Sequence, residues 1–462
     1  MNLTTQNSTQ NLFFKSDKKW IFSDVLKEVQ TFISNNYSAL VVEGINNVNS
    51  ENDEIKQQVK RYIGKYLLDQ KISVEGWSQT ELIDKLYSEM AEFSFLTKYI
   101  FGGGIEEVNI NSWDDIVVQY SDGRSVKLDE KFESPEHAIN IVRRMLHVSG
   151  MVLDNTSPAI LGHLSKNIRI AVLKTPLVDE DVGVAASIRI VNSQKLKKED
   201  FIRSGTATEE MMDLLSTLVR YGVSTTVAGA TSSGKTTLTG WLLSTIPFDK
   251  RIFTIENGSR ELDLVEHDED GKVLNEVIHT KTKESEDKNK SITQDDLLDM
   301  SLRFNPCYIV VGEMRDSEAD AAQEAARTGH TVITTIHSNS CDSTWHRMMT
   351  LCKRKPQHSD DDSIFNLVTE AFPIVVYAKQ LENKQRRIME IMECEIKPNG
   401  KREFHSLYRY TITENRIENG KYIINGFHEK CANISPSLQR RLLENGMPIG
   451  EMNKLLKGGN DV

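Results

Sequence analysis

The 462-residue sequence has no apolar run long enough to cross a bilayer. Its longest stretches, such as residues 308–311 and 372–377, fall far short of the roughly 20 residues that a spanning helix needs, so no transmembrane helix is expected. Cysteine is scarce: the five at Cys307, Cys341, Cys352, Cys394 and Cys431 are scattered and form no CxxC pair. That spacing points to reduced thiols, and neither a disulfide framework nor a zinc site is expected. Positive charge is not in excess either. A formal net charge of −11 argues against coating nucleic acid, because such binding depends on many Lys and Arg neutralising phosphates. The first 14 residues lack a basic start followed by an apolar stretch, so a secretory signal is not expected and the cytoplasm is the expected compartment. What remains is ordinary globular composition, with 39% hydrophobic and 27% charged residues, in a chain long enough for two or three domains.

Texture divides the chain into four regions. Residues 1–95 mix polar segments with amphipathic helical ones, such as 22–33 and 80–99, and carry no assignable chemistry. Residues 96–200 read as α+β: short strands near 108–110, 116–120 and 126–128 with Ser121-Asp122-Gly123 as turn, a helix over 135–147, and alternating stretches over 167–173 and 184–191. A charged stretch, 195–205, suits a linker. In residues 201–380, Met211, Leu214, Leu215 and Leu218 fall at helical spacing, and apolar strands at 223–228, 251–255, 308–311 and 331–335 alternate with helices. That alternation predicts an α/β fold with a mostly parallel, twisted sheet and crossover helices. The charged stretch 266–290 reads as an exposed excursion or hairpin. Residues 381–462 form a C-terminal extension expected to pack on this domain, with basic Gln385-Arg386-Arg387, strand-like 408–413 and 422–426, and a helix over 436–444.

Four motifs in the α/β region carry chemistry. Gly229-Ala230-Thr231-Ser232-Ser233-Gly234-Lys235-Thr236 matches GxxxxGK[ST] directly between a strand and the helical stretch 237–245. Glycines let the backbone wrap a phosphate with its N–H groups, and the helix N-terminus adds positive dipole. Lys235 is expected to reach the β- and γ-phosphates and Thr236 to ligate magnesium, with Thr237 packing or capping. Strand 308–311 runs into Gly312-Glu313, which makes Glu313 the candidate to polarise water or to hold magnesium through water. Strand 252–255 ends in Glu256, a second acid at the same sheet edge, and Glu261 follows a few residues later. Finally His330 and His337 flank the strand 331–335. His337, at its carboxyl end, is the candidate sensor of the γ-phosphate, whereas His330 falls at the opposite end.

These elements, in this order, resemble the secretion superfamily of type II and type IV ATPases. Val311-Gly312-Glu313-Met314-Arg315-Asp316 looks like that family's glutamate-bearing Walker B, and 325–330 with 335–339 looks like its histidine box. Upstream, residues 105–111 and 114–120 look like its amino-terminal sensing domain. The middle domain, the linker 199–211 and the tail from Arg386-Arg387-Ile388 are most similar to the tight-adherence pilus branch, and the cysteine quartet of many pilus-extension ATPases is absent. The resemblance runs from about residue 96 to about residue 446. It departs at Asn257, where an Asp is usual, at Gly258-Ser259-Arg260, which lengthens the acidic box, at Cys307, at Leu161-Gly162-His163 and in the charged insertion after Leu264.

The resemblance implies a RecA-like P-loop NTPase domain following a PAS-like α+β domain, with ATP and Mg2+ as ligands. It implies catalytic roles for Glu313, Glu256, Lys235 and His337, and γ-phosphate contacts from Arg169 and Arg189, since a guanidinium keeps its charge while phosphate charge develops. It further implies a homohexameric ring at the cytoplasmic face of the inner membrane, driving a membrane platform protein in pilus assembly or secretion. Two alternatives remain open at this stage: a conjugative type IV secretion ATPase, and a nucleotide-gated scaffold without productive hydrolysis, suggested by Asn257.

Overall fold

The computed structural model describes residues 20–46, 53–121, 123–147, 150–165, 167–191, 196–258, 260–283, 290–355 and 360–457. The polar start 1–14, Asp122 of the expected turn, Lys195 heading the expected linker, Ser259 and residues 284–289 of the charged insertion lie outside them. The chain divides into two compact units, Met1–Asn192 and Ser193–Val462.

In the first unit, helices Phe22–Asn46, Asp53–Asp69 and Gln79–Ala91 bury Val25, Val29, Ile33, Val59, Ile63, Leu67, Leu82 and Leu86 together. Ser78 starts the third with a reciprocal cap: its hydroxyl accepts from Glu81 N–H and the Glu81 carboxylate accepts from Ser78 N–H. The helix expected over 80–99 is broken. It stops at Ala91, and a short turn over Ser94–Leu96 leads into a second helix, Thr97–Phe101. Ser94 has a φ of 55°, and its hydroxyl donates to buried Glu89 at 2.5 Å, so a local side-chain bond replaces helix continuation.

The rest of this unit is an antiparallel sheet of six strands: β1 (Ile105–Ser112), β2 (Asp115–Tyr120), β3 (Ser125–Lys127), β4 (Ala159–Ser165), β5 (Ile168–Lys174) and β6 (Val184–Ile190), ordered β3-β2-β1-β6-β5-β4. Alternation sends Val108, Ile110, Ile116, Val118, Ile168, Ile170, Ile188 and Ala186 to one face, where helix Pro135–His147 covers them. Strand β4 was not legible in sequence, because Leu161-Gly162-His163 interrupts its alternation. In register, Arg169 stands opposite Arg189, and Arg189 opposite Glu107.

The second unit is built on one nine-stranded sheet. Its strands are β7 (Thr225–Ala228), β8 (Ile252–Glu256), β9 (Val277–Lys281), β10 (Tyr308–Met314), β11 (Thr331–Ile336), β12 (Ile374–Gln380), β13 (Arg386–Ile396), β14 (Arg402–Glu418) and β15 (Lys421–Lys430). The order is β15-β14-β13-β12-β7-β11-β10-β8-β9. From β12 to β9 all pairings are parallel, as the alternation of apolar strands and helices predicted. From β12 to β15 they are antiparallel. Helices Glu209–Arg220, Lys235–Ser244 and Pro436–Glu444 pack on one face, and Glu318–Arg327, Cys341–Cys352 and Asp361–Ala371 on the other. Covered on both faces, β7, β8 and β11 are buried at every residue, which is why they read as runs of apolar residues and threonine with no in–out alternation.

The charged stretch expected to be an excursion contains the edge strand β9, a correction to the sequence reading. Part of it is a hairpin-like excursion, with His267 bridging Val273, but Val277–Lys281 pairs with β8 and its first four residues are half-buried. Polar residues are common on edge strands, and here they hid the period. The terminal helix Ile449–Lys457 was likewise not foreseen.

Candidate functional site

A parallel sheet gathers the carboxyl ends of its strands at one edge. The loop 229–234 leaves β7 at that edge and enters helix Lys235–Ser244. Gly229 admits no side chain: a Cβ there would lie 2.2 Å from Ala378 O and 2.6 Å from Ser233 Oγ. Its N–H donates to Ile336 O at 3.2 Å, tying the loop to the end of β11. Gly234, with a φ of 89°, caps the helix. Lys235 is 8% exposed, and its Nζ donates to Gly229 O at 3.0 Å and Ala230 O at 2.8 Å, so an ammonium is held within the loop. Ser233 Oγ is buried without a hydrogen-bond partner among the described residues. Ala230, Thr231, Ser232 and Thr237 are exposed.

Three acids stand around this loop. Glu256, the last residue of β8, is 3% exposed, and its Oε2 accepts from Glu261 N–H and Leu262 N–H at 2.5 and 3.0 Å. Burial raises its carboxyl to about 7 despite those two donors. Its Oε1 has no partner among the described residues and lies 4.0 Å from His279 Nδ1. Burial lowers His279 to about 4, so between those values both groups are neutral and the approach is not an ion pair. His279 Nδ1 instead meets Thr254 Oγ1 at 2.9 Å.

Glu261 accepts from the Thr236 hydroxyl at 3.1 Å. The lengthened acidic box therefore delivers its last acid to the helix that follows the loop. Asn257 is engaged elsewhere, its Oδ1 accepting from Thr282 Oγ1 at 2.8 Å.

Glu313 emerges near the end of β10, half-buried, with Oε1 3.2 Å from His337 Nε2 and Oε2 2.5 Å from Arg315 Nη2. Burial pushes its carboxyl up, but the Arg315 bond and the charges of Arg315, His337 and Lys235 outweigh that and hold it below the ordinary value. Burial first, then the charge of Lys235, lowers His337. At neutral pH this is a carboxylate beside a neutral imidazole. Gly312 lets the two acid-bearing strands approach, since a Cβ there would sit 3.3 Å from Glu256 Cγ. Thr335 Oγ1 donates to Gly312 O at 2.6 Å, locking β11 to β10 at the same level.

The structure thus brings Lys235, Thr236, Glu256, Glu261, Glu313 and His337 to one sheet edge. His330 lies at the other, its Nδ1 2.9 Å from Pro306 O. Arg169 and Arg189 are cross-strand neighbours in the first unit, Arg189 exposed and Arg169 half-buried. Sequence reasoning missed two residues near the loop or its acids. His279 was hidden in the charged insertion. Arg386 donates from Nε to Ser232 O at 3.0 Å, and only its basic character was visible in sequence. Among the described residues, Glu395, Glu403 and His405 also cluster, but Lys397 lies 2.7 and 3.3 Å from the two acids, which makes this an ion-pair network on β13 and β14.

The model of the family "Type II/IV secretion system protein" matches residues 158–411. An uncharacterized protein of Methanocaldococcus jannaschii is 28% identical over 271 residues, 59% of this chain and 46% of the relative, so the match spans about half the length of that protein. The type IV secretion system protein VirB11 of Brucella suis is 28% identical over 268 residues, 52% of this chain and 72% of VirB11. Among solved structures, the pilus retraction motor PilT with bound ADP aligns at 16% identity and a TM-score of 0.45, covering 78% of this chain and 88% of PilT. With more than half its length matched by the family model, the chain belongs to the type II/IV secretion system protein family.

Proposed function

We infer that this chain is an ATP hydrolase of RecA-like P-loop type, working as a homohexameric ring that powers pilus assembly or secretion at the cytoplasmic face of a bacterial inner membrane. One observation carries the reading: an ionised Glu313, paired with neutral His337, stands at the same sheet edge as a lysine-bearing glycine loop. Loop N–H groups and the helix N-terminus bind the phosphates, and Lys235 neutralises their charge. Glu313 accepts a proton from the water whose oxygen attacks the γ-phosphorus, and the bond to the β,γ-bridging oxygen breaks to release ADP and phosphate. His337, with Nε2 3.2 Å from that carboxylate, orients it and registers the γ-phosphate.

The donor set fits Mg2+, a hard cation that prefers oxygen: Thr236 Oγ1 and a Glu261 carboxylate oxygen already lie 3.1 Å apart, with Glu313 as a further oxygen donor. Bound there, the ion would supply charge neutralisation to the phosphates. The family resemblance assigns Arg169 and Arg189 to the γ-phosphate of a bound nucleotide, so in this reading its loss on hydrolysis releases them and sets the chain moving. That movement is passed to a membrane platform protein that adds or moves pilin-like subunits, as in the tight-adherence branch. The relative VirB11 is named for a type IV secretion system, which favours conjugative or protein secretion as the second reading. Among the described residues no helix is long and apolar enough to cross a membrane, and a peripheral role accommodates that.

The test is phosphate release by the purified full chain, with ring size measured alongside, with and without the cytoplasmic domains of candidate platform proteins. Stimulated release from a six-membered ring supports the motor. Nucleotide binding without release by any assembly would leave the scaffold reading in its place.

A further inference from the structure

Two adjacent arginines open β13, and they do different things. Arg387 is buried and structural: its guanidinium donates to Ser204 O at 3.0 Å, to Arg386 O at 2.8 Å and to Gln385 Oε1 at 2.6 Å, and lies 5.7 Å from the centre of the Tyr410 ring. Ile388 N–H adds a bond to Thr206 O at 2.9 Å. These contacts fix the backbone from which Arg386 projects, and successive side chains on a strand point to opposite faces. Arg386 accordingly reaches the phosphate loop. Its Nε donates to Ser232 O at 3.0 Å, and its Cδ lies 3.2 Å from where a Cβ on Gly234 would be.

The loop is strained at the residue Arg386 grips. Of its non-glycine residues only Ser232 has a positive φ, 62°, a region a serine enters against its steric preference and keeps only when its surroundings enforce it. The trans peptide sets C=O and N–H in opposite directions. Holding the Ser232 carbonyl outward on Arg386 turns the Ser233 N–H into the loop, where it donates a long hydrogen bond to Ala230 O (N···O 3.4 Å), the bond that a phosphate oxygen would take over.

We propose that Arg386 is a positioning residue for nucleotide binding, latching Ser232 in its left-handed conformation so that the loop's N–H groups are preset toward phosphate. The proposal rests on reading this loop as a phosphate site. The latch itself exists without ligand. An arginine 154 residues away in sequence thereby makes the C-terminal strands part of the binding loop.

Two measurements on the full chain test it. Hydrogen–deuterium exchange without nucleotide reads the latch: R386A should speed exchange of the 230–236 amides by about fivefold or more and leave helix Glu209–Arg220 unchanged. ATP kinetics read its consequence: R386A should raise KM for ATP about tenfold with kcat within about twofold, the pattern of lost preorganised binding. In an S232G background the R386A deficit in KM should shrink to about twofold, because glycine holds a positive φ unaided. Loop exchange unchanged by R386A, or equal KM deficits in both backgrounds, overturns the latch even when the wild type hydrolyses ATP normally. A wild type that does not bind ATP overturns the phosphate-site reading, and the role of Arg386 with it.

Discussion

Glu313 Oε1 stands 3.2 Å from His337 Nε2, joining the end of β10 to the residue just past β11. Arg315 takes the other carboxylate oxygen at 2.5 Å. The acid is thereby kept ionised in a half-buried position, where burial alone would protonate more of it. Replacing it with an isosteric amide removes the charge and the proton acceptor while keeping the shape. Glu313→Gln should lower ATP turnover by roughly 100-fold to 10,000-fold while nucleotide affinity changes little. Turnover within tenfold of wild type, measured by phosphate release, would remove Glu313 from the chemistry.

Lys235 is the one ammonium held by the loop's own carbonyls among the hydrogen bonds described above. Lys235→Ala should abolish hydrolysis, leaving no more than about 1% of wild-type turnover, since it removes the ammonium that the loop itself holds for the β- and γ-phosphates. Residual activity of more than a few per cent would be incompatible with the proposed site.

At Gly229 the obstacle to any side chain is backbone, not a movable rotamer: Ala378 O lies 2.2 Å from the added Cβ. Gly229→Ala should destabilise the second unit by about 2 kcal/mol and weaken nucleotide binding by more than tenfold. Differential scanning calorimetry and a fluorescent-nucleotide titration would check the two parts separately.

Glu256 and His279 give opposing pH dependences. Glu256 is raised from 4.5 to about 7, so the stability it contributes is fully present below pH 4.5 and is lost as pH rises toward 7. His279 is lowered from 6.5 to about 4, so its contribution is present above pH 6.5 and is lost as pH falls toward 4. Each swing is on the order of 3 kcal/mol, and over pH 4.5 to 6.5 the two cancel. Chemical denaturation across that window should therefore show little net slope from this pair in the wild type. Glu256→Gln should unmask loss of stability on acidification, and His279→Gln a gain. Parallel profiles for all three proteins would refute the assignment.

Arg189 is exposed on β6, directly across from Arg169. Arg189→Ala should leave ATP binding intact and reduce turnover by at least about 100-fold. Normal turnover would argue against any arginine contact with the γ-phosphate from this strand.

Much of the second unit was legible because its physics is local. β7, β8 and β11, buried on both faces, announce themselves as runs rich in apolar residues and threonine. The motif 229–236 names its own loop and helix, and Glu256, Glu313 and His337 each stand at the carboxyl end of a strand, which the parallel arrangement fixes at one edge. What stayed hidden depends on pairing across the chain. Val277–Lys281 is a strand only because β8 offers it an edge, so His279 could not be placed next to Glu256. Arg386 reaches Ser232 only after the antiparallel pairing of β12 and β13 sets where that strand begins. In the first unit, the helix stops at Ala91, and the turn at Ser94, tied back to Glu89, interrupts a pattern that residue spacing alone would have continued.

The continuity of the nine-stranded sheet from β9 to β15 changes what the chain beyond Gln380 is. Ile374, Val375 and Val376 of β12 are buried because β13 completes their ladder. Cutting the polypeptide after Gln380 would not shorten an appendage. It would uncap a row of unpaired amides and carbonyls flanked by apolar side chains, the kind of open seam along which polypeptides zip together into aggregates.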